Sequence, residues 1–405
     1  MGWCTTFDLD RFAAAAGGYL RSRAAENTLL LSAAQAARPG QKPGSEPGRK
    51  PGSEPEAGWR TKVTGQQPGA AGREVLFGWW EPPDGGEPRG AFVHDPSAPL
   101  LIAGKAPEMA AALAATLAKM GRQVYGVDAP TEVADAFAAA WSQRAGTAIR
   151  THRNCRVYRL VGAAQGTPPI GTPVAYGTGG WPSPEVPGPV GRLRVATDED
   201  QTLLADWLTA FATETAERIS SPADLAADLI SYGGAVFWEV PQKTSRLRDA
   251  AHHVIPHHRD GPSGEPARQP MALATLTRPV AGTVRIGMVY TPPDRRRGGY
   301  ATVLTLAVSR AILTDTGLTD AGPGDAPGRP RGVLGAASGR VNEVVMITDK
   351  NRSDRWGSRL GYQLVGERAV LRFGPVTGPI PRGQTTGSMP RLPTGPLPRL
   401  PRLRR

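Results

Sequence analysis

One stretch of this 405-residue chain, residues 284–310, places a strand, a glycine loop and a helix in an order that few folds accommodate. β-Branched and large apolar residues dominate positions 284–290 and predict a strand. The proline pair at 292–293 ends the strand, because proline cannot donate a backbone hydrogen bond to a sheet. After the glycine pair at 298–299, apolar residues recur at helical spacing over 301–312. The fold must therefore join a strand to a helix through a tight glycine loop.

This loop predicts a binding site for a phosphate or pyrophosphate. A helix that begins directly after a glycine loop points free backbone N–H groups and the positive end of its dipole at one spot. The loop carries the motif Arg296-x-x-Gly299-x-Ala301. It has neither the Gly-Lys-Ser/Thr ending of a Walker A loop nor the Gly-x-Gly-x-x-Gly pattern of a Rossmann loop. The alternative interpretation is a surface turn with solvated arginines.

Together with the preceding Val-Tyr-Thr-Pro-Pro-Asp and the apolar helix that follows, the motif resembles the acyl-CoA loop of the GNAT superfamily of N-acetyltransferases. The resemblance implies that the pyrophosphate of acetyl-CoA binds at Arg296, Arg297, Gly298, Gly299, Tyr300 and Ala301. It also implies that the preceding strand parts from its neighbour and pairs its backbone with the pantetheine arm, which assigns that contact to Met288, Val289 and Tyr290. Residues 351–362 resemble the second motif of the family, which closes with a Gly-Tyr pair, and this adds Asn351 to the expected acetyl-CoA site.

The order of strands and helices occurs twice along the chain. Residues 191–373 contain both motifs, whereas residues 1–161 repeat the element order only. At the loop position of the first half stands Gly104-Lys105-Ala106-Pro107-Glu108, without the motif. The predicted fold class is α+β, with two GNAT-like domains in tandem. Each is a mixed, mostly antiparallel sheet flanked by helices, and the first is degenerate.

Segments poor in apolar residues separate and follow the two halves. A duplicated Lys-Pro-Gly-Ser-Glu-Pro at 38–73 predicts a disordered insertion. A Pro/Gly-rich linker is predicted at 162–190, with insertions at 241–269 and 315–340. Residues 374–405 form a basic, proline-rich tail that carries six arginines and no acidic residue, so half of the net charge of +12 belongs to it. The remaining charge does not indicate a nucleic-acid binder, although the tail leaves a weak association with nucleic acid open.

Cysteine and histidine usage excludes several classes of protein. Cys4 and Cys155 are too few for a disulfide framework or a four-cysteine metal site. The histidine pairs at 252–253 and 257–258 lie in a polar insertion, where a solvated loop explains them better than zinc, so no metal is predicted. No apolar run approaches the ~20 residues of a membrane helix, and the N terminus does not resemble a secretory signal. We expect a soluble cytoplasmic protein, and the sequence leaves its oligomeric state open.

Acetyl transfer to an amine requires a base for the ammonium proton of the acceptor and a proton source for the leaving thiolate. Glu239, at the end of an apolar strand, is the favoured base, and Glu214, on the first helix of the second half, is the alternative. The resemblance implies a tyrosine acid four residues before the glycine of the Gly-Tyr pair, but Gly357 stands there. Tyr290 and Ser358 are the substitutes, although a structural role explains each of them as well.

The sequence thus predicts an enzyme that moves an acetyl group from acetyl-CoA, as co-substrate, to a primary amine of a small molecule or peptide. Direct attack is expected, without a covalent enzyme intermediate, because no Ser-His pair is evident near the loop and both cysteines lie in the first half. The alternative is a coenzyme A-binding protein with a regulatory or scaffolding role and no turnover, because the usual acid is missing.

Overall fold

A computed structural model of the chain describes residues 2–38, 74–82, 84–162, 189–215, 217, 219–242, 267–313, 341–351 and 356–375. The predicted insertions, linker and tail lie almost wholly outside these residues, and so do the histidine pairs. Predictions made for those segments therefore stay predictions.

The first half alternates short strands with alanine-rich helices. Its elements are β1 (Gly2–Thr6), α1 (Leu9–Ser22), α2 (Thr28–Ala36), β2 (Leu76–Glu81), β3 (Gly90–His94), β4 (Leu100–Gly104), α3 (Pro107–Lys119), β5 (Gly126–Pro130), α4 (Thr131–Ala145) and β6 (Thr147–Val161). Local chemistry sets several of the boundaries. The Asp8 carboxylate accepts hydrogen bonds from the first backbone N–H groups of α1, and Gly146 ends α4 in the left-handed region at φ 61°.

The second half repeats this order. Its elements are β7 (Arg192–Val195), α5 (Gln201–Thr215), α6 (Pro222–Ser231), β8 (Ala235–Pro241), β9 (Arg268–Leu276), β10 (Thr283–Tyr290), α7 (Tyr300–Leu313), β11 (Glu343–Asp349), α8 (Trp356–Arg359) and β12 (Gln363–Pro375). A capping box of Thr197 and Asp200 lies ahead of α5, where each side chain bonds the backbone N–H of the other.

All twelve of these strands form one sheet, in the order β1-β2-β3-β4-β5-β12-β6-β11-β10-β9-β8-β7. Only the pairs β4–β5 and β10–β11 are parallel, one in each half. The predicted α+β class, with a mixed and mostly antiparallel sheet, is therefore confirmed. The equivalent positions of the two parallel pairs confirm the internal repeat.

The two halves exchange their last strands. β6 lies between β12 and β11 and pairs with β11 from Val161↔Glu343 to Cys155↔Asp349. β12 in turn pairs with β5 of the first half, from Arg368↔Pro130 to Arg372↔Gly126. The predicted domains at 1–161 and 191–373 therefore share one sheet, in which each half completes the sheet of the other. Hydrophobic patterning identifies a strand but not its partner, so the sequence did not reveal the exchange.

Alternate residues along the strands face opposite layers of helices. In the first half α1 and α2 cover one face through Phe12 and Phe77, while α3 and α4 cover the other around Phe92. In the second half α5 and α6 pack on the face that carries Phe237 and Tyr290, and α7 packs on the opposite face. Each large aromatic side chain buried in this way contributes about 1.5–3 kcal/mol relative to an exposed one.

Two strands differ from the expected boundaries. β1 was not predicted, because Gly2–Thr6 is only five residues long and mixes apolar with polar residues. The apolar pattern of β6 predicts a strand only from about Cys155, whereas β6 begins at Thr147, because its first eight residues carry arginine, histidine and threonine at a half-solvated part of the sheet. None of the described helices has the length and apolar content that a membrane-spanning helix requires.

Candidate acyl-CoA site

The central opening of the second half lies between β10 and β11. These strands pair from Thr283↔Glu343 only as far as Ile286↔Met346, although β10 continues to Tyr290. A bulge after Ile286 shifts the register against β9, and the backbone N–H of Met288 donates to Thr275 Oγ1 at 3.0 Å. A bulge bends its strand and leaves backbone groups outside the ladder. The last residues of β10 thus diverge from β11, as the resemblance implies for a strand that pairs with pantetheine.

The loop that follows β10 presents unpaired backbone donors. A short 3₁₀ turn at Pro293–Arg295 leads into Arg297 and Gly299, which both adopt left-handed conformations at φ 66° and 79°. In the described part of the chain, the N–H groups of Arg297, Gly298 and Gly299 donate no hydrogen bond. The first N–H groups of α7 follow directly, and they lack intrahelical partners. Such a run of N–H groups forms an anion-binding concavity.

Glycine is required at positions 298 and 299 of the loop for different structural reasons. Gly299 supplies a positive φ without strain. At Gly298 an added Cβ would lie 2.5 Å from the ring of Tyr300. Arg297 accepts a left-handed conformation that costs a non-glycine residue about 1–2 kcal/mol. A strained backbone retained in a loop full of free donors is typical of a ligand site.

A groove of about 440 Å³ runs along this loop and the end of β10. It is lined by Phe211, Glu214, Thr215, Val289, Tyr290, Thr291, Arg295, Arg296, Arg297, Gly299, Tyr300, Ala301 and Thr302. The structure thus brings together most of the residues predicted for acyl-CoA. Met288 is buried behind the groove, beneath α5 and α6.

A cluster of three side chains stands in the groove. Arg296 bonds both carboxylate oxygens of Glu214, at 2.7 and 2.6 Å, and its Nε donates to the carbonyl of Thr291 at 2.9 Å. The hydroxyl of Tyr290 donates to Glu214 at 3.3 Å. The Arg296 guanidinium also lies 5.9 Å from the centre of the Tyr290 ring. The cluster therefore ties α5 to the phosphate-binding loop.

Tyr290 does not have the environment of a strong acid. Burial and the neighbouring Glu214 carboxylate raise the pKa of the phenol above its usual value. The Tyr290 hydroxyl therefore keeps its proton at neutral pH and donates it in a hydrogen bond to the Glu214 carboxylate. Its place at the end of β10 agrees with the predicted pantetheine contact, while its predicted role as acid stays a hypothesis.

Glu239, the base favoured from the sequence, is not brought to the groove. It is buried on β8 and accepts from Arg194 Nε at 2.6 Å and from Arg192 Nε at 3.4 Å. Arg194 is shared with Asp200, whose carboxylate accepts at 2.6 and 2.8 Å. The strand-end glutamate is thus one member of an ion-pair network that joins β7, β8 and the start of α5. The pattern that made it a candidate base, a carboxylate beside buried aromatics, also describes such a network.

Asn351 lies across the opening from the loop. It follows β11, whose end faces the diverging end of β10, and its backbone N–H donates to Asp349 at 2.8 Å. Its side chain is exposed and does not line the groove. On the same side, the indole N–H of Trp356 donates to Thr302 Oγ1 at 3.2 Å, which holds α8 against the first turn of α7.

The first half occupies the place of the missing tyrosine. Gly357, where the resemblance implies that acid, packs on the ring of Tyr158 from β6, and an added Cβ would lie 2.8 Å from the ring. A side chain at this position requires Tyr158 to move. Ser358, the other substitute, is exposed on α8 and lies outside the groove lining.

The cysteines do not provide a nucleophile for the groove. Cys155 is buried, and burial raises the pKa of its thiol to about 11. Cys4 lies on β1, at the far edge of the sheet, and its pKa is also raised, chiefly by burial. A thiol must ionise to attack a thioester, so neither has the reactive form at neutral pH. The described residues include no group of three or more His, Cys, Asp or Glu side chains that could hold a metal ion.

Both halves therefore contain the same arrangement, in which a parallel strand pair carries a helix between its members and opens at one end. This is the arrangement that the resemblance to the GNAT superfamily implies, and the strand order places it in both halves.

No family model and no curated protein matches this chain. A GCN5-related N-acetyltransferase from Sphaerobacter thermophilus is 14% identical, with a TM-score of 0.41 over 74% of this chain and 80% of that chain. A tandem GNAT protein from the clavulanic acid biosynthesis pathway is 13% identical, with a TM-score of 0.35 over 75% and 84%. A GCN5-related N-acetyltransferase from Kribbella flavida is 16% identical, with a TM-score of 0.36 over 72% and 88%.

Sequence reasoning missed five groove residues, namely Phe211, Thr215, Thr291, Arg295 and Thr302. The sequence did contain a pattern that could have identified Phe211 and Thr215. Phe211 and Thr215 flank Glu214 on one predicted helix, and residues three and four apart share a helix face. The side of the sheet on which that face lies depends on the crossing of α5, which periodicity does not specify.

Proposed function

We propose that the second half is an acyl-CoA-dependent N-acyltransferase, with acetyl-CoA as donor and a primary amine as acceptor. One observation carries the proposal: the unpaired N–H groups of 297–299 and the start of α7 lie directly beside the opening between β10 and β11. A phosphate group fits the loop, because free donors and a helix N-terminus favour negative charge. An extended thioester arm fits the opening between β10 and β11, because unpaired strand edges accept an added strand.

The chemistry follows from direct attack. The acceptor ammonium loses one proton to a base, and the free amine attacks the thioester carbonyl. The C–N bond forms and the C–S bond breaks, while the sulfur leaves with its electron pair and takes up the second proton of the amine, through Tyr290 or solvent. Backbone N–H groups near Val289 would polarise the carbonyl, and such oriented donors often contribute the largest share of the rate.

Negative charge in the loop provides the test. Gly299→Glu places a carboxylate at the phosphate position, and Ala301→Glu does so at the start of α7 without the constraint of a positive φ. Calorimetry should show that acetyl-CoA affinity falls by about 10²-fold or more, as expected for a desolvated like-charge contact. Gly18→Glu, on the open surface of α1, is the matched control. Folded variants with unchanged affinity would contradict the proposed site.

A second candidate function is coenzyme A binding without turnover. The packing of Gly357 on Tyr158 favours it, because this contact leaves no room for the usual acid. Release of free thiol from acetyl-CoA, measured with a panel of amines, aminoglycosides, polyamines and peptide N-termini, separates the two. Binding without thiol release across the panel would favour the second candidate. A cytoplasmic location and the absence of nucleic-acid and membrane partners stay predictions.

A further inference from the structure

Glu214 is the only carboxylate among the described residues that line the groove, and it faces the loop across the opening. It stands near the end of α5, where its two oxygens hold one guanidinium nitrogen of Arg296. Arg296 is also the first residue of the loop motif, so one of the cations of the proposed phosphate site is engaged by a carboxylate. Arg296 and Glu214 are partly exposed, at 43% and 32% of their side-chain surface, so both are reachable from the groove.

We propose that Glu214 is the general base and that Arg296 keeps it occupied until the pyrophosphate of acyl-CoA draws Arg296 away. The inference rests on the proposed function, because it requires a phosphate at the loop. It makes donor binding a precondition for activating the base, so that acyl-CoA binds first and the amine second.

Glu214 and the pyrophosphate of acyl-CoA compete for the guanidinium of Arg296, and this competition couples donor binding to the release of the base. A pyrophosphate on the loop offers several charged oxygens and more than one negative charge, whereas Glu214 offers a single carboxylate, so the attraction of the guanidinium to the pyrophosphate is the larger one. The bond from Arg296 Nε to the carbonyl of Thr291 keeps the guanidinium at the loop, so only its outer nitrogens need to change partner. Glu214 would then keep the hydroxyl of Tyr290, which holds the carboxylate in place. Tyr290 acts here as a positioning residue.

The chemistry balances with the groups at hand. The Glu214 carboxylate accepts one proton from the acceptor ammonium, and the neutral amine attacks the carbonyl carbon at the end of β10. The carboxyl group passes this proton to solvent once acetylated product and free thiol have left. Glu239 does not compete for this role, because Arg194 and Arg192 engage its carboxylate outside the groove.

The test compares Glu214→Gln with Glu217→Gln in the full chain. Glu217 follows the same helix and pairs with Arg153 at 2.7 Å, outside the groove, so it is a matched control. Coenzyme A and acetyl-CoA affinities are measured by calorimetry, and turnover is measured at saturating acetyl-CoA with the fastest amine of the panel. Arg296→Met removes the cation of the Arg296–Glu214 pair and is measured in the same way.

The expected result is a split between binding and rate. Glu214→Gln should bind coenzyme A about two- to fivefold more tightly, because a partly exposed ion pair no longer competes. Its kcat should fall by about 10²-fold or more, as for loss of a general base. Arg296→Met should weaken coenzyme A binding and allow the amine to bind before the donor. Glu217→Gln should change neither quantity.

Other outcomes are decisive in different ways. Weaker coenzyme A binding by Glu214→Gln would mean that Glu214 supports the loop rather than competing with the ligand, and unchanged turnover would mean that it is not the base. Either result overturns this inference and leaves the proposed function standing. If the unaltered chain binds no coenzyme A, the proposed function fails, and this inference fails with it.

Discussion

The loops at equivalent places in the two halves differ in length and in donors. In the second half, the nine residues 291–299 separate β10 from α7, and the N–H groups of Arg297, Gly298 and Gly299 donate to no described acceptor. In the first half, only Lys105 and Ala106 separate β4 from α3, and Pro107 at the first helical position has no N–H to offer. The strands themselves are alike, since β4 also stops pairing with β5 after Leu101 and continues to Gly104. Loop length, and not the strand arrangement, distinguishes a half that can hold a phosphate.

The loop region of the first half is closed by its own side chains. The Trp3 indole donates to the Met109 carbonyl at 2.9 Å, and a Cβ at Gly104 would collide with the end of the Met109 side chain. Ile102 and Ala103 are buried at the place where the second half has its groove. From the closed loop on an intact sheet, we expect that the first half binds no acyl-CoA and that it completes the second half through β6.

Removal of the first half should have the largest effect. A chain that begins at residue 189 lacks β6, so β11 loses seven paired positions and β12 loses its main partner. Exposed strand edges of this length promote association with another chain. We expect no stable monomer in size-exclusion chromatography. The product should be aggregated, or a dimer in which β12 of a second copy replaces β6.

Addition of residues 1–161 as a separate chain is the control for this truncation. It should restore a 1:1 complex that binds acetyl-CoA. A truncated monomer with the affinity of the full chain would show that the halves are independent domains after all.

Matched substitutions in the two loops should differ by about 10²-fold in acetyl-CoA affinity. Ala301→Glu introduces a carboxylate beside the free donors of the second half, while Ala106→Glu does so at the closed loop of the first. Calorimetry of the unaltered chain should give one site per chain, and only Ala301→Glu should remove it, because like charges repel a phosphate. Two sites of similar affinity would contradict the comparison.

The sequence predicted the elements and the phosphate loop because their determinants are local. Helix caps, proline stops and apolar periodicity each act within a few residues, and the motif at 296–301 needs only its own strand and helix. The partners of β6 and the surroundings of Glu239 depend instead on residues far away in the chain. Arg194 lies 45 residues from Glu239, and no spacing rule links the two.

Glu239→Gln should lower stability rather than turnover. Removing the Glu239 charge leaves Arg194 with Asp200 and leaves the partly exposed Arg192 without this carboxylate, at a cost of about 1–3 kcal/mol, as for a lost hydrogen bond to a charged group. Chemical denaturation should show this loss in the free energy of unfolding, while kcat per folded molecule stays within about twofold, since a residue outside the groove leaves transition-state binding unchanged. Glu199→Gln, an exposed neighbour, is the control. A large fall in kcat with unchanged stability would return the role of base to Glu239.

The smallest effect at neutral pH is expected in the first half, at His94. Its Nε2 lies 3.0 Å from the carbonyl of Gln123 and its Nδ1 accepts from Arg122 Nε at 3.2 Å, so the buried ring is held neutral between a backbone acceptor and a cation. Burial, followed by Arg122, lowers the pKa of His94 to about 4. The unfolded chain takes up a proton near the ordinary value of about 6.5, so between these values it binds more protons than the folded chain. The free energy of unfolding should therefore decline as the pH falls from about 6.5 to about 4.

His94→Gln keeps a donor and an acceptor without a titrating group, so denaturation at several pH values should show a shallower acid decline and nearly unchanged stability at pH 7. Acetyl-CoA affinity at pH 7 should not change, because His94 lies on β3, away from the groove. An equally steep decline in the variant would assign the acid sensitivity to other groups.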